Sequence, residues 1–215
     1  MTPTNWGNPP VSPGPFHLPA EAGERLRRWL SELVATPGLT SLSGDEARRV
    51  LLEDSLRAAD IVRRFDGSIV DVGSGGGAPG IPLATALPER EVTLLEASRR
   101  KCDFLERWVR ELPNAHVVCG RAEEQPVDEY GVAVAKALAP PPVAAEWCLP
   151  LVSPGGAAVL FVGPSADAVR VARVAEQLAG ELVESPPGLL VVRKLRPTPP
   201  GFPRRPGLAR KRPLA

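Results

Sequence analysis

"IVDVGSGGGAPGIPL", residues 69–83, decides how this chain is read. An apolar run reaches an acid at Asp71; Gly73, Gly75, Gly76 and Gly77 follow, then Pro79 and Gly80. A buried strand that breaks into glycines is a strand ending in a loop. Glycine admits positive φ and lets another group approach the backbone closely. Pro79 suits the first turn of a helix, where its missing N–H is no loss. The stretch therefore predicts strand, loop and helix, with the positive end of the helix dipole facing the loop. In a doubly wound sheet, ligands bind outside the carboxyl ends of the strands. A small polar or anionic ligand is thus expected across residues 73–78.

The same alternation extends outward from this stretch. Strand patterns occur at 68–72, 91–96, 116–119, 131–136, 157–162 and 189–195, with a weaker one at 181–184. Helical patterns lie between them at 79–87, 98–112, 141–149 and 166–180. Strand alternating with helix predicts an α/β fold: a doubly wound, mostly parallel, seven-stranded Rossmann-like sheet with helices on both faces. Upstream, Leu26, Trp29, Leu30 and Leu33 recur at helical spacing over 21–35, and a second helix is expected over 45–63 with Ser43 as N-cap. Residues 1–20 hold six prolines and read as disordered. The chain divides into a disordered N-terminus (1–20), a short helical N-terminal region (21–66), a ligand-binding domain (67–196) and a Pro/Arg-rich basic tail (197–215).

Composition narrows the function. Hydrophobic residues at 43% and charged residues at 24% support an ordinary globular core. No apolar run approaches the roughly 20 residues that span a bilayer, and the N-terminus lacks a secretory layout; a cytoplasmic protein is expected. Cys102, Cys119 and Cys148 are far apart in sequence and read as three reduced, mostly buried thiols, with no metal site. Two histidines and no nucleophile elbow argue against nucleophilic catalysis. The net charge of +1 hides an asymmetry: the last 25 residues carry eight basic side chains and no acidic one, leaving −7 for the rest. A basic end on an acidic body suits a polyanion partner or a solubilising tail, and composition alone leaves both open.

The loop matches two motifs. Gly75, Gly77 and Gly80 fit the dinucleotide pattern G-x-G-x-x-G, while Asp71, Gly73, Gly75 and Gly77 fit D-x-G-x-G-x-G, which resembles the S-adenosylmethionine loop of class I methyltransferases. Glu96, ending the second strand, suits the ribose diol of either ligand. Two features favour the methyl donor. "CGRAEE" at 119–124 sets acids just past the third strand, within reach of an adenine amino group. "AKALAP" at 135–140 follows the fourth strand, where methyl group and acceptor should meet. A nicotinamide enzyme needs a proton-handling residue beside the hydride, and no good candidate is present.

"VDVGSGGGAPGIPLA", "VTLLEASRRKCDFL", "GRAEE", "AKALAP" and "FPRRPGLARKRPL" occur in the order found in one family. Over residues 45–215 the chain resembles the bacterial small-subunit ribosomal RNA guanine-N7 methyltransferases, also called glucose-inhibited division protein B. The resemblance implies methylation of one guanine N7 in the 530-loop of 16S ribosomal RNA, free or within the 30S subunit. It implies that S-adenosylmethionine touches Gly73, Ala78, the Ala122–Glu123 pair and Lys136, with Glu96 on the ribose. "LLEDSL" at 51–56 resembles the family's helix before the first strand. The family commonly has a large apolar residue at Ala78, arginine at Lys136 and a lysine–glycine pair at Gly163–Pro164.

Guanine N7 carries a free lone pair, so it attacks a methyl group without a general base, and the shortage of histidine is no obstacle. Lys136 is the best catalytic candidate, either orienting the base or holding the methionine carboxylate. Arg204, Arg205, Arg210, Lys211 and Arg212 are expected to contact phosphates, with prolines keeping the tail extended. Phe202 either stacks on a base or docks on the domain. A monomer with no membrane or metal partner is expected. The rival readings are a small-molecule methyltransferase, a catalytically impaired RNA-binding relative and an NAD-dependent oxidoreductase.

Overall fold

The computed structural model of the protein describes residues 18–215. The expectation of disorder therefore falls mostly outside the described residues, and the first helix, α1, begins at Ala20 and runs to Ala35. Leu26, Trp29 and Leu33 form its buried stripe, as their spacing predicts. The expected helix over 45–63 is real but broken into pieces. Short α-helical turns at Gly44–Ala47 (α2), Asp54–Arg57 (α3) and Ala59–Val62 (α4) flank a π-helical stretch over Arg48–Glu53. Ser43 precedes the first turn but makes no side-chain capping bond.

Seven strands follow: β1 (Ile69–Val72), β2 (Val92–Glu96), β3 (Ala115–Cys119), β4 (Tyr130–Lys136), β5 (Val152–Phe161), β6 (Gly180–Glu184) and β7 (Leu189–Lys194). Their spatial order is β3-β2-β1-β4-β5-β7-β6. Neighbours among β1 to β5 are parallel, while β7 runs antiparallel to both β5 and β6. The short β6–β7 connection leaves no room for a crossover helix, so that pair must form a hairpin. The crossovers elsewhere carry α5 (Gly80–Ala86), α6 (Arg99–Val109), α7 (Pro141–Cys148) and α8 (Ala168–Gln177).

Alternation along the strands fills two cores. Ile69, Val132, Val134 and Val159 point to one face and pack with α1, the α3–α4 segment, α5 and α6. Val70, Val72, Ala133 and Ala158 point to the other and pack with α7 and α8. Both faces of β1 are thereby buried, which explains its unbroken apolar run.

Two expectations are corrected. Cys102 and Cys119 are not separate thiols: they pair as a disulfide joining the first turn of α6 to the end of β3, with Cα atoms 5.9 Å apart. They are 17 residues apart in sequence, but the parallel sheet brings the end of β3 beside the start of the helix that follows β2. Cys148 is free and buried, and burial pushes its thiol up. The basic tail is also not an extended arm. Its exit from β7 is tied down by Lys194, whose wholly buried Nζ donates to the Leu149 carbonyl and to Thr198 Oγ1, each at 2.7 Å, and lies 3.4 Å from Asp128. Beyond it Phe202, Leu214 and Ala215 pack on the second core, and residues Leu208–Lys211 form a helical turn, α9. Arg204 makes two bonds, at 2.5 and 2.6 Å, to the carboxylate of Glu146 on α7, a side chain only 3% exposed, and a third at 2.8 Å to the Arg212 carbonyl.

Breaking a buried ion pair by removing one partner costs more than the pair contributes, because a charge is left unpaired. Arg204→Met is expected to lower stability by about 3 kcal/mol in urea unfolding followed by tryptophan fluorescence. The double variant with Glu146→Gln should recover most of that loss, because no bare carboxylate then remains.

Candidate active site

The glycine loop is shaped from two sides. Gly73 amide donates to the Leu95 carbonyl at 2.7 Å, so the loop leaves β1 still paired to β2. Gly73 has φ +72°, and a Cβ there would overlap the side chain of Leu138 just past β4. Gly76 faces the other way: a Cβ would overlap Leu33 of α1, and its carbonyl accepts from Trp29 Nε1 at 2.9 Å. Part of the glycine run is therefore demanded by the protein's own N-terminal helix rather than by a ligand. Nothing in the local sequence discloses this, since Trp29 lies 47 residues upstream.

Asp71 holds the loop from beneath. Its Oδ2 accepts from the Gly80 amide at 2.9 Å, so the N-terminus of α5 is taken up by this carboxylate and not presented outward. The side chain is 1% exposed and Oδ1 has no hydrogen-bond partner among the described residues. Burial lifts its carboxyl from 3.8 to about 7, against the lowering effect of the Gly80 amide.

Above the loop, at the carboxyl ends of β1, β2 and β4, lies a cavity of about 280 Å³. Gly73, Glu96, Ala122, Glu123, Leu138 and Trp147 are among its walls. Glu96 is held by the Gly75 amide at 2.9 Å and the Ser98 amide at 2.8 Å, one to each oxygen. A carboxylate has about four acceptor positions, so both oxygens keep capacity for further donors. Ala122 and Glu123 lie in a single 3₁₀ turn after β3. Asp71, Gly75, Gly77 and Ala78 do not line the cavity; they sit below or behind it, and the peptide joining Ala78 to Pro79 is cis.

The folded tail forms part of the wall of this cavity. Gly207 amide donates to Glu123 Oε1 at 3.0 Å. Arg210 donates to the Leu138 carbonyl at 3.2 Å, and its guanidinium lies 5.1 Å from the Trp147 ring centre. Both Gly207 and Arg210 line the cavity. Arg205, Arg210, Lys211 and Arg212 are exposed.

Lys136 ends β4 and faces elsewhere. It lines a second cavity of about 500 Å³ with Asp54, Arg57, Ala137, Phe161 and Gly188. Its Nζ is 4.0 Å from Asp54 Oδ2 and 4.4 Å from the Phe161 ring centre. Burial lowers its ammonium from 10.5 to about 8, with the Asp54 charge pulling the other way. Ala137, with φ +52°, lines both cavities and so divides them. A non-glycine residue held at positive φ is uncommon and is frequent at functional sites. "LLEDSL" contains Asp54, but its neighbours in sequence carry no hint of Lys136, which is distant in the chain.

A parallel sheet in this strand order, with a glycine loop after β1 and an acid at the end of β2 facing a rim cavity, defines an S-adenosylmethionine-dependent methyltransferase of class I. Solved structures share the fold: an S-adenosylmethionine-dependent O-methyltransferase from Thermotoga maritima (TM-score 0.55, 16% identity, 78% of this chain and 71% of that one) and TYW2 of M. jannaschii in complex with AdoMet (TM-score 0.53, 16% identity, 71% and 75%). A family model described as rRNA small subunit methyltransferase G matches residues 24–187. Proteins of that name are 39% identical in Carboxydothermus hydrogenoformans (89% of this chain, 90% of that one) and 31% identical in Acetivibrio thermocellus (88% and 84%). The chain belongs to the rRNA small subunit methyltransferase G family. Among the described residues no helix is long and apolar enough to cross a membrane, and no three potential ligands cluster for a metal ion.

The residues present fit a nucleoside-bearing methyl donor. The bare Gly73 backbone, the spare acceptor capacity of Glu96 and the apolar face of Leu138 are the groups such a molecule needs. Asp71 supports the loop, and its elevated pKa makes a stability prediction. A carboxyl raised in the folded state contributes most below its unfolded value, and that contribution is lost as pH climbs through the folded value. The stability difference between the native protein and Asp71→Asn should therefore change between about pH 4 and pH 7, with the native protein losing ground as pH rises. Denaturant unfolding across that window measures it.

Proposed function

We propose that this protein transfers the methyl group of S-adenosylmethionine to N7 of a guanine in the 530-loop of 16S ribosomal RNA, free or within the 30S subunit. It does so in the cytoplasm and as a monomer. One observation carries the reading: the donor cavity and the second cavity meet at Ala137, at the carboxyl end of the same strand. An electrophile in one and a base in the other are then separated by a single residue.

Bound in the first cavity, S-adenosylmethionine supplies a sulfonium methyl group to a neutral nucleophile. Gly73 and the Ala122–Glu123 turn give it backbone to lie against, and Glu96 accepts from its ribose hydroxyls. Asp71 acts one layer below, by holding Gly80. Lys136 lies on the acceptor side, and of its two candidate roles the geometry supports orienting the base. The nucleophile gives up no proton before attack, so alignment is the enzyme's main contribution; holding reactants in near-attack geometry is worth several kcal/mol of barrier. The second cavity is large enough for a base that is unstacked from a loop, the form in which RNA bases are commonly read. Arg205, Arg210, Lys211 and Arg212 are the exposed tail cations available to meet phosphates, Arg210 from the wall of the donor cavity itself. Arg204 serves the fold instead.

Incubation with labelled S-adenosylmethionine and 16S ribosomal RNA or 30S subunits is expected to place label on N7 of one guanine. Label on another atom, or none in either substrate, overturns the reading. The lowered pKa of Lys136 adds a second expectation. Its charged fraction falls as pH rises through about 8, so KM for RNA should increase on the alkaline side. Lys136→Arg, which stays charged, should remove that limb from the pH profile.

A further inference from the structure

Asp54 makes one local bond, to Arg57, which uses only one of its two oxygens. It opens α3, directly after the π-helical stretch Arg48–Glu53. A π-helical insertion shifts the faces of a helix and is frequent at functional sites. Here it sets Asp54 at the second cavity beside Lys136, the two elements being 82 residues apart by number (136 − 54). One oxygen, Oδ1, accepts from Arg57 at 2.6 Å; the other lies 4.0 Å from Lys136 Nζ, beyond hydrogen-bond length. The Arg57 side chain is two-thirds exposed, so this bond lies at the cavity's open side. The carboxylate thus retains acceptor positions within the cavity.

Around its edge guanine presents N7, then O6, then N1–H, then the N2 amino group. Read from Ala137, the cavity presents an ammonium and then a carboxylate in the same order. We propose that Asp54 is the residue that selects guanine: its carboxylate accepts from N1–H and the N2 amino group, while Lys136 donates to O6 and N7 is left facing Ala137 and the methyl donor. This rests on the guanine-N7 reading above. Adenine fails both contacts, since it offers a lone pair at N1 to the carboxylate and an amino group to the ammonium.

The chemistry of the transfer gives Asp54 a second effect. As the N7–carbon bond forms and the carbon–sulfur bond breaks, the sulfur keeps the electron pair and the purine gains a positive charge. That charge spreads to N1–H and N2, which become stronger donors. A carboxylate facing them binds the transition state more tightly than the ground state, which is the condition for raising kcat rather than only lowering KM. Lys136 alone would do the reverse, because an ammionium at O6 draws electrons from N7; Asp54 beside it offsets that pull. Phe161, against which the ammonium rests at 4.4 Å, holds Lys136 in position.

The test uses the full-length protein and 16S ribosomal RNA in which the methylated guanine is either kept or replaced by inosine, which lacks only the N2 amino group. For the native protein, inosine should lower kcat/KM about 10-fold, within the range for loss of one well-made base contact. Asp54→Asn should lower kcat/KM on guanine by about 100-fold, mainly through kcat, with calorimetric affinity for S-adenosylmethionine unchanged, and should methylate guanine and inosine nearly equally. Equal rates on guanine and inosine by the native protein, or an Asp54→Asn variant that still prefers guanine, overturn the assignment of Asp54. If the native protein labels neither RNA, the underlying function has failed instead. The inosine comparison needs no variant, so equal rates would overturn the assignment even if Asp54→Asn does not fold, and Asp54→Glu, which keeps the carboxylate and should keep the preference for guanine, then supplies the second variant.

Discussion

Everything at the rim of the sheet depends on how closely the backbone of residues 73–80 can be packed from below. Trp29 and Leu33 of α1 press against Gly76, and Asp71 holds the Gly80 amide. The loop is thereby clamped on its inner side, and only Gly73 is left to face the cavity. The clamp is built at a cost, since it buries a carboxyl whose pKa rises to about 7. A carboxylate that serves backbone amides in a dry layer positions the loop; Glu96, nearer the rim and with acceptor capacity to spare, is suited to a ligand.

In the proposed reading, the two cavities that share Ala137 divide the chemistry between donor and acceptor. The proposed donor side is walled by backbone, the carboxylates of Glu96 and Glu123, the basic side chains of Lys101, Arg121 and Arg210, and apolar surface from Leu138 and Trp147, a mixture that suits a nucleoside. The acceptor side carries an ammonium, a carboxylate and a guanidinium, which suits the polar edge of a base. No group in either is placed as a general base, and none is required for a nucleophile whose lone pair is already free. The burden falls on orientation, and orientation is supplied by residues with few alternatives: Lys136 between Asp54 and Phe161, and Ala137 in the left-handed region.

The tail combines two functions that its composition does not separate. Arg204 satisfies the buried Glu146, so one of the tail's charges is spent inside the molecule, while Arg210 lies over Trp147 and stays exposed. The same docking carries Gly207 to Glu123, where it forms part of the wall of the rim cavity. The tail cations left exposed are Arg205, Arg210, Lys211 and Arg212.

Most of the fold was legible in the sequence, because strand and helix declare themselves through short periods that do not depend on distant residues. The sheet's parallel class, the strand before the glycines, the weak strand at 181–184 and the acid at Glu96 all follow from local pattern. The single helix expected over 45–63 was not seen to be broken, since a π-helical turn leaves almost no mark on hydrophobic spacing. The cysteine pairing, the buried Lys194 and the engagement of Arg204 with Glu146 were invisible, because each joins residues that only the sheet brings together. The sequence by itself determined where the chain must leave the sheet and which residue types surround that exit. Only the tertiary structure decided which glycines face a ligand and which face α1, and that Asp54 meets Lys136, because such meetings depend on the packing of elements far apart in the chain.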